Sequence, residues 1–175
     1  MKQTTLLLGG ARSGKSRRAL LLAGNYECRI MIATAEAGDE EMEARIALHR
    51  AERDASWRTF DAPLDLAGAV GEAGRAVDSA PSETVIVVDC LTLWLSNLMH
   101  AGLDVDDETR RLLQSVQQCE ADIIFISNEL GLGLVPETKL GRDFRDAQGR
   151  LNQRFADAAD VVEFVAAGLA LRLKP

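Results

Sequence analysis

The segment Gly9-Gly10-Ala11-Arg12-Ser13-Gly14-Lys15-Ser16 constrains the fold more than any other part of the chain. It follows a short apolar run, Thr4–Leu8, and opens a stretch with helical patterning, Lys15–Ala23. A Gly-x-x-x-x-Gly-Lys-Ser loop between a strand and a helix is a phosphate cradle. Its glycines let backbone amides point into a concave nest around phosphate oxygens. The helix that starts near Lys15 adds the positive end of its dipole. In that arrangement Lys15 reaches the β- and γ-phosphates of a purine nucleoside triphosphate, and Ser16 offers a hydroxyl to Mg²⁺. Such a loop needs an acidic partner at the end of an apolar strand, to complete the magnesium shell. Val85-Ile86-Val87-Val88-Asp89 has that form. The alternative for Asp89 is a cap for the helical segment Leu91–Met99 that follows it.

The rest of the chain alternates short apolar runs with longer helical stretches. The strands expected are Thr4–Leu8, Arg29–Ala33, Trp57–Phe60, Thr84–Val88, Asp122–Ser127 and Val161–Val165, with Leu169–Leu173 as a further one. The helices expected are Lys15–Ala23, Asp39–Asp54, Leu64–Val77, Leu91–Met99, Asp107–Glu120 and Leu140–Ala158. Val85–Val88 and Ile123–Ile126 are apolar without alternation, as strands buried on both faces are. The order implies an α/β P-loop NTPase-like fold: a doubly wound, mostly parallel sheet with helices on both faces. A length of 175 residues fits a single nucleotide-binding domain over 1–175. Ligands in such folds sit at the carboxyl ends of the strands.

Composition narrows the partners. A net charge of −7 argues against nucleic-acid binding, which needs a basic surface. The three cysteines, Cys28, Cys90 and Cys119, have no metal-site spacing and read as reduced thiols. The N-terminal apolar run is too short for a signal segment or a membrane span, and the expected location is cytoplasmic.

His49 stands out on the Asp39–Asp54 stretch. Arg45 and Arg53 lie one helical turn away on either side. Two cations beside an imidazole disfavour its protonation, and a neutral imidazole is a nucleophile. The same arginines hold a phosphate near it. One reading is therefore attack by His49 on a nucleotide phosphorus; the other is a core histidine satisfied by a hydrogen bond. Further along, Asn128 and Glu129 follow a buried strand at the ligand edge. Arg142, Arg145, Arg150 and Arg154 form a locally basic stretch that either meets an anion or a neighbouring subunit, or pairs with Asp143, Asp146 and Asp157 on a solvated face. His100 reads as a surface residue, and Leu93, Trp94 and Leu98 as core.

Five segments together carry a family resemblance: the phosphate loop; Arg45-Ile46-Ala47-Leu48-His49-Arg50 with Trp57-Arg58-Thr59; Asp89-Cys90-Leu91-Thr92-Leu93-Trp94-Leu95-Ser96-Asn97-Leu98; Asn128-Glu129-Leu130-Gly131-Leu132-Gly133-Leu134-Val135-Pro136-Glu137; and Gly141-Arg142-Asp143-Phe144-Arg145-Asp146 with Gly149-Arg150-Leu151-Asn152-Gln153. Nearly the whole chain resembles the bifunctional adenosylcobinamide kinase / adenosylcobinamide-phosphate guanylyltransferase family of cobalamin biosynthesis. The resemblance implies two reactions. Adenosylcobinamide is phosphorylated by ATP or GTP; GMP from GTP then joins adenosylcobinamide phosphate, releasing pyrophosphate. It implies a covalent guanylyl intermediate on His49 and a catalytic role for Lys15. It carries nucleotide contacts over to Gly9, Gly10, Ala11, Arg12, Ser13, Gly14, Lys15 and Ser16, to Thr34, Ala35 and Glu36, to Arg50, Ala51, Glu52 and Arg53, and to Asp61 and Asp89. At position 61 the family commonly has Glu, and the shorter Asp61 departs from it. Mg²⁺ is implied at Ser16 and Asp89, and a homo-oligomer, usually a trimer. The residues taken without the resemblance leave two alternatives: a monofunctional P-loop kinase with a structural His49, or a non-catalytic nucleotide-dependent switch.

Overall fold

The computed structural model describes residues 2–36, 56–76 and 81–174. The expected helix Asp39–Asp54, with Arg45, His49, Arg50, Ala51, Glu52 and Arg53, lies outside the described residues. Among those described, the elements in chain order are β1 (Thr4–Gly9), α1 (Lys15–Ala23), β2 (Cys28–Ala33), β3 (Trp57–Asp61), α2 (Leu66–Arg75), β4 (Thr84–Asp89), α3 (Leu91–His100), α4 (Val105–Gln118), β5 (Asp122–Asn128), α5 (Lys139–Ala158), β6 (Val161–Ala166) and β7 (Leu169–Lys174).

The strands form one seven-stranded sheet in the order β3-β2-β4-β5-β1-β6-β7. All neighbours pair in parallel except β6 and β7, which are antiparallel. The apolar runs without alternation account for the centre. Val85, Ile86, Val87 and Val88 of β4 are all fully buried, and the strand contributes to both faces. On one face α1 covers Leu7, Met31, Val85, Val87, Ile124 and Ile126 through Ala19 and Ala23. On the other, Leu6, Ile30, Ile32, Ile86, Val88, Ile123 and Phe125 pack against α2, α3, α4 and α5. Trp94 is fully buried there and its indole N–H donates to the Leu64 carbonyl at 2.8 Å. The Phe125 and Phe155 rings meet edge to face at 4.9 Å between centroids, a contact that ties α5 to the sheet centre.

The last hairpin turns on Ala167 (φ 52°) and Gly168 (φ 79°), both left-handed, between the paired Ala166 and Leu169. Two positive φ angles in a two-residue loop match the twist of antiparallel strands. No helix among the described residues is long and apolar enough to cross a membrane.

Candidate active site

β5 lies between the strand that leads into the phosphate loop and the strand that ends in Asp89. The register aligns Gly9 with Asn128, Asp89 with Ile126, and Ala33 with both Asp89 and Asp61. The carboxyl edge therefore gathers the Gly9–Ser16 loop, Thr34–Glu36, Asp61, Asp89 and Asn128–Glu129.

The phosphate loop is wedged in place by the final hairpin. A Cβ on Gly9 would stand 2.2 Å from the Val165 carbonyl oxygen, so no larger residue fits there. Gly14 has φ 103°, and a Cβ on it would touch the Gly168 Cα at 3.0 Å. The Gly168 amide donates to the Ser13 carbonyl at 2.8 Å. On the opposite side the Glu129 amide donates to the Gly9 carbonyl at 3.0 Å. The loop is thus gripped by β6–β7 and by the end of β5. The turn at Ala167–Gly168 has no reactive or polar side chain and acts through its backbone, which is why sequence reasoning passes it by.

Lys15 is buried and its ammonium donates to the Gly10 carbonyl at 2.7 Å and to Ser13 Oγ at 3.5 Å. Burial pulls its pKa below the ordinary lysine value, opposed by Cys90 and Asp89 beside it. Ser16 Oγ donates to Asp89 Oδ2 at 3.2 Å across a separation of 73 residues. Two hard oxygen donors in one hydrogen bond at the foot of a phosphate loop suit Mg²⁺, which takes one or two carboxylates with phosphate and water for the rest. Ala11 and Arg12 are exposed at the tip of the loop, with Arg12 at φ 54°.

Thr34 is fully buried. Its hydroxyl donates to the Cys90 carbonyl at 2.7 Å and accepts from the Cys90 amide at 2.8 Å, across a cis Asp89–Cys90 peptide. Its own amide donates to the Asp89 carbonyl at 3.1 Å. The side chain expected at the nucleotide is therefore engaged with the backbone that follows Asp89. Asn97 of α3 extends the brace, with Nδ2 donating to the carbonyls of Thr34 (2.8 Å) and Pro63 (3.0 Å). Ala35 is half-buried, and Glu36 and Asp61 are exposed. The Cys90 thiol is buried and pushed up to about 12, mainly by desolvation and then by Asp89. It is no nucleophile at neutral pH.

A second brace fixes the end of β5. Thr92 Oγ1 accepts from the Asn128 amide at 2.8 Å. Ser127 donates to Asn152 Oδ1 at 2.7 Å, and Gln148 Nε2 donates to both Ser127 Oγ and Asn152 Oδ1 at 2.9 Å. Asn152 Nδ2 donates to the Asn128 carbonyl at 3.0 Å. The carboxylate of Glu129 turns back onto the amides of Gly131 (2.6 Å) and Leu132 (3.1 Å), shaping an exposed loop with Leu132, Leu134 and Val135 at its surface. Sequence reasoning missed Thr92, Gln148 and Asn152 in this role; the available signal was that Gln148 and Asn152, four residues apart, share one helix face. His100 is exposed and Trp94 and Leu98 are core, as expected, whereas Leu93 is only half-buried and packs against the α1-side cluster instead.

The chain is similar to known proteins along nearly its whole length. Residues 5–173 match the model of the family described as cobinamide kinase / cobinamide phosphate guanyltransferase. The chain belongs to that family. It is 46% identical over 175 residues to the bifunctional adenosylcobalamin biosynthesis protein CobP of Pseudomonas aeruginosa, covering 97% of this chain and 96% of the relative. It is 38% identical over 184 residues to the bifunctional adenosylcobalamin biosynthesis protein CobU of Salmonella typhimurium, covering 97% and 98%. Among solved structures it is similar to a prototypical ATPase from the type III secretion system of pathogenic bacteria, with a TM-score of 0.61 at 10% identity, over 97% of this chain and 56% of that one. It is also similar to a separately solved ATPase domain, with a TM-score of 0.54 at 13% identity, over 93% of this chain and 69% of that one. At such identities the two structures establish the P-loop α/β fold and nothing finer. The family membership makes this an enzyme of the kinase and nucleotidyltransferase type.

Proposed function

We propose that the chain phosphorylates the aminopropanol hydroxyl of adenosylcobinamide with ATP or GTP, and then transfers GMP from GTP to adenosylcobinamide phosphate. The observation that carries this reading is the union of Lys15, Ser16 and Asp89 under the phosphate loop, with Ser16 bonded to Asp89 at 3.2 Å, in a chain matched by the family model from residue 5 to 173.

In the first reaction the acceptor oxygen attacks the γ-phosphorus, the β–γ bridge bond breaks, and ADP or GDP leaves as the hydroxyl gives up its proton. Backbone amides of Gly9–Ser16 and the Lys15 ammonium face the charge that builds on the phosphoryl oxygens. Ser16 and Asp89 are the residues that would hold Mg²⁺, which when bound would offset charge on the phosphates. In the second reaction the neutral ring of His49 attacks the α-phosphorus of GTP and pyrophosphate leaves. A phosphate oxygen of the corrinoid then attacks the same phosphorus, the N–P bond breaks, and adenosylcobinamide-GDP forms. The role of His49 rests on its sequence motif, with Arg45 and Arg53 four residues before and after it. Arg50–Arg53, Thr34–Glu36 and Asp61 complete the nucleotide contacts in this reading, Asp61 accepting from guanine N–H groups.

GTP labelled at the α-phosphate tests the second reaction. Denatured protein is expected to carry acid-labile, alkali-stable label that disappears in His49→Ala. Label that persists in that variant removes His49 from the mechanism. Lys15→Ala is expected to abolish γ-phosphate transfer.

The reading extends to a homo-oligomer, with a trimer expected. It is supported by the exposed leucines Leu169, Leu171 and Leu173 on one face of the edge strand β7. Sedimentation velocity on the purified chain is expected to give a species of three times the chain mass; a monomer at micromolar concentration contradicts it.

A further inference from the structure

The four arginines of α5 separate by what they touch. Arg142 Nη1 donates to the carbonyls of Pro136 (3.1 Å) and Glu137 (2.7 Å), bracing the loop before the helix. Arg154 pairs with Asp106 at 2.7 Å. Arg150 lines a cleft with Asp104, Asp106 and Asp143. Arg145 differs: its Nη1 is buried and meets no hydrogen-bond partner among the described residues. A guanidinium stays charged at every accessible pH, and a buried donor left unmade is costly. A structural arginine in that position would face a carboxylate or a carbonyl.

Its place follows from the brace below it. Phe155 packs on Phe125, Asn152 bonds to Ser127 and Asn128, and Gln148 bonds to Ser127. α5 therefore climbs along β5 toward the carboxyl edge as residue number falls. Arg145 lies on the same face, one turn beyond Gln148, and about 10 Å beyond Asn152 at the usual helical rise. That carries it past the end of β5, to the edge where Asn128 aligns with Gly9. The hydrogen bonds of Gln148 and Asn152 fix the rotation of the helix, whose face Arg145 shares. Gln148 is itself fully buried, its Oε1 unpartnered among the described residues, one turn below Arg145.

We propose that Arg145 binds the phosphate monoester of the second-step acceptor, cobinamide phosphate. The proposal rests on the functional reading above and adds how the two acceptors are told apart. The first acceptor is an alcohol and offers a planar guanidinium no anion. The second carries a phosphate dianion, which a guanidinium meets in a forked, charge-assisted pair. Arg145 thus holds the acceptor phosphate on the α5 side of the edge, while the phosphate loop holds the nucleotide.

Equilibrium dialysis of the full chain against cobinamide and against cobinamide phosphate tests it, with corrin absorbance as the readout. Wild type is expected to bind the phosphorylated form at least about tenfold more tightly, the worth of one good charge-assisted contact. Arg145→Leu is expected to lose that preference, the loss falling on the phosphorylated ligand, and Arg145→Gln to do the same should the leucine variant fold poorly. Inorganic phosphate is expected to compete with cobinamide phosphate in wild type, and far more weakly in either variant. Both affinities falling in parallel, the preference surviving in the variants, or undiminished competition by phosphate would each overturn the role of Arg145. A wild-type protein that binds both corrinoids without preference overturns it too, yet leaves the functional reading standing. A wild type that turns over neither corrinoid overturns that reading itself.

Discussion

At the scale of single residues, the site depends on contacts its residues make with the backbone behind them. Gly9 is fixed by the Val165 carbonyl, which a Cβ would approach to 2.2 Å, while a Cβ on Gly10 would meet nothing within 4 Å among the described residues. Gly9→Ala is expected to cost at least about 2 kcal/mol in urea unfolding, through displacement of backbone rather than of a flexible side chain. Gly10→Ala, on the same loop, is expected to unfold near the wild-type midpoint. Thr34 gives a complementary case. Thr34→Val keeps the volume but strands the amide and carbonyl of Cys90, both bonded to the hydroxyl. An expected loss of about 2 to 4 kcal/mol follows from two buried groups left unpaired. Thr34→Ser keeps the hydroxyl and is expected to recover most of it in the same denaturant titration.

At the scale of elements, the phosphate-loop helix is latched to the strand on the far side of its own strand. Arg18 of α1 donates through Nε and Nη2 to the two carboxylate oxygens of Glu163 on β6, each at 2.8 Å. The Arg18 bond holds the Glu163 carboxyl below its usual range, against the opposing effect of burial. A carboxylate whose folded pKa is depressed adds stability above its unfolded pKa, and that stability fades as pH falls toward the folded value. Glu163→Gln is therefore expected to lower stability by about 2 kcal/mol at pH 7. The gap to wild type is expected to narrow below about pH 4, as thermal melts across pH 3 to 7 would register. Elements of this kind were largely legible in advance, because apolar runs without alternation mark buried parallel strands. The helix ends were less so. α4 begins at Val105 rather than Asp107, since Asp104 accepts from the amides of Asp106 and Asp107. α2 begins at Leu66 rather than Leu64, since Asp65 accepts from Gly68. In the candidate site, glycines, lysine and carboxylate were readable because their chemistry is tied to their spacing. The hairpin at Gly168 and the amide network of Gln148 and Asn152 were not, because each acquires its meaning from a strand brought close only by the fold.

At the scale of the whole molecule, the sheet order makes the site a composite of distant segments, and a bound nucleotide should stabilise the assembly as a unit. GTP with Mg²⁺ at a hundredfold excess over its Kd adds about 2.7 kcal/mol to the folded state. A matching rise in melting temperature is expected, and its absence in Lys15→Ala would tie the rise to the phosphate loop. The central position of β5 has a kinetic consequence. Ser16 follows the loop after β1 and Asp89 ends β4, 73 residues apart, and these two strands flank the strand formed by residues 122–128. A compact chain lacking β5 would leave β1 and β4 without the spacer that sets their separation, so the Ser16–Asp89 hydrogen bond is not expected in an early intermediate built from the first half alone. Long-range parallel pairing is slow to form, because loop closure precedes the contacts that reward it. In stopped-flow refolding, a fluorescent GTP analogue is expected to bind only in the last phase, after most helical signal has returned. The chain would then spend its folding time unable to capture the nucleotide that most stabilises its finished form.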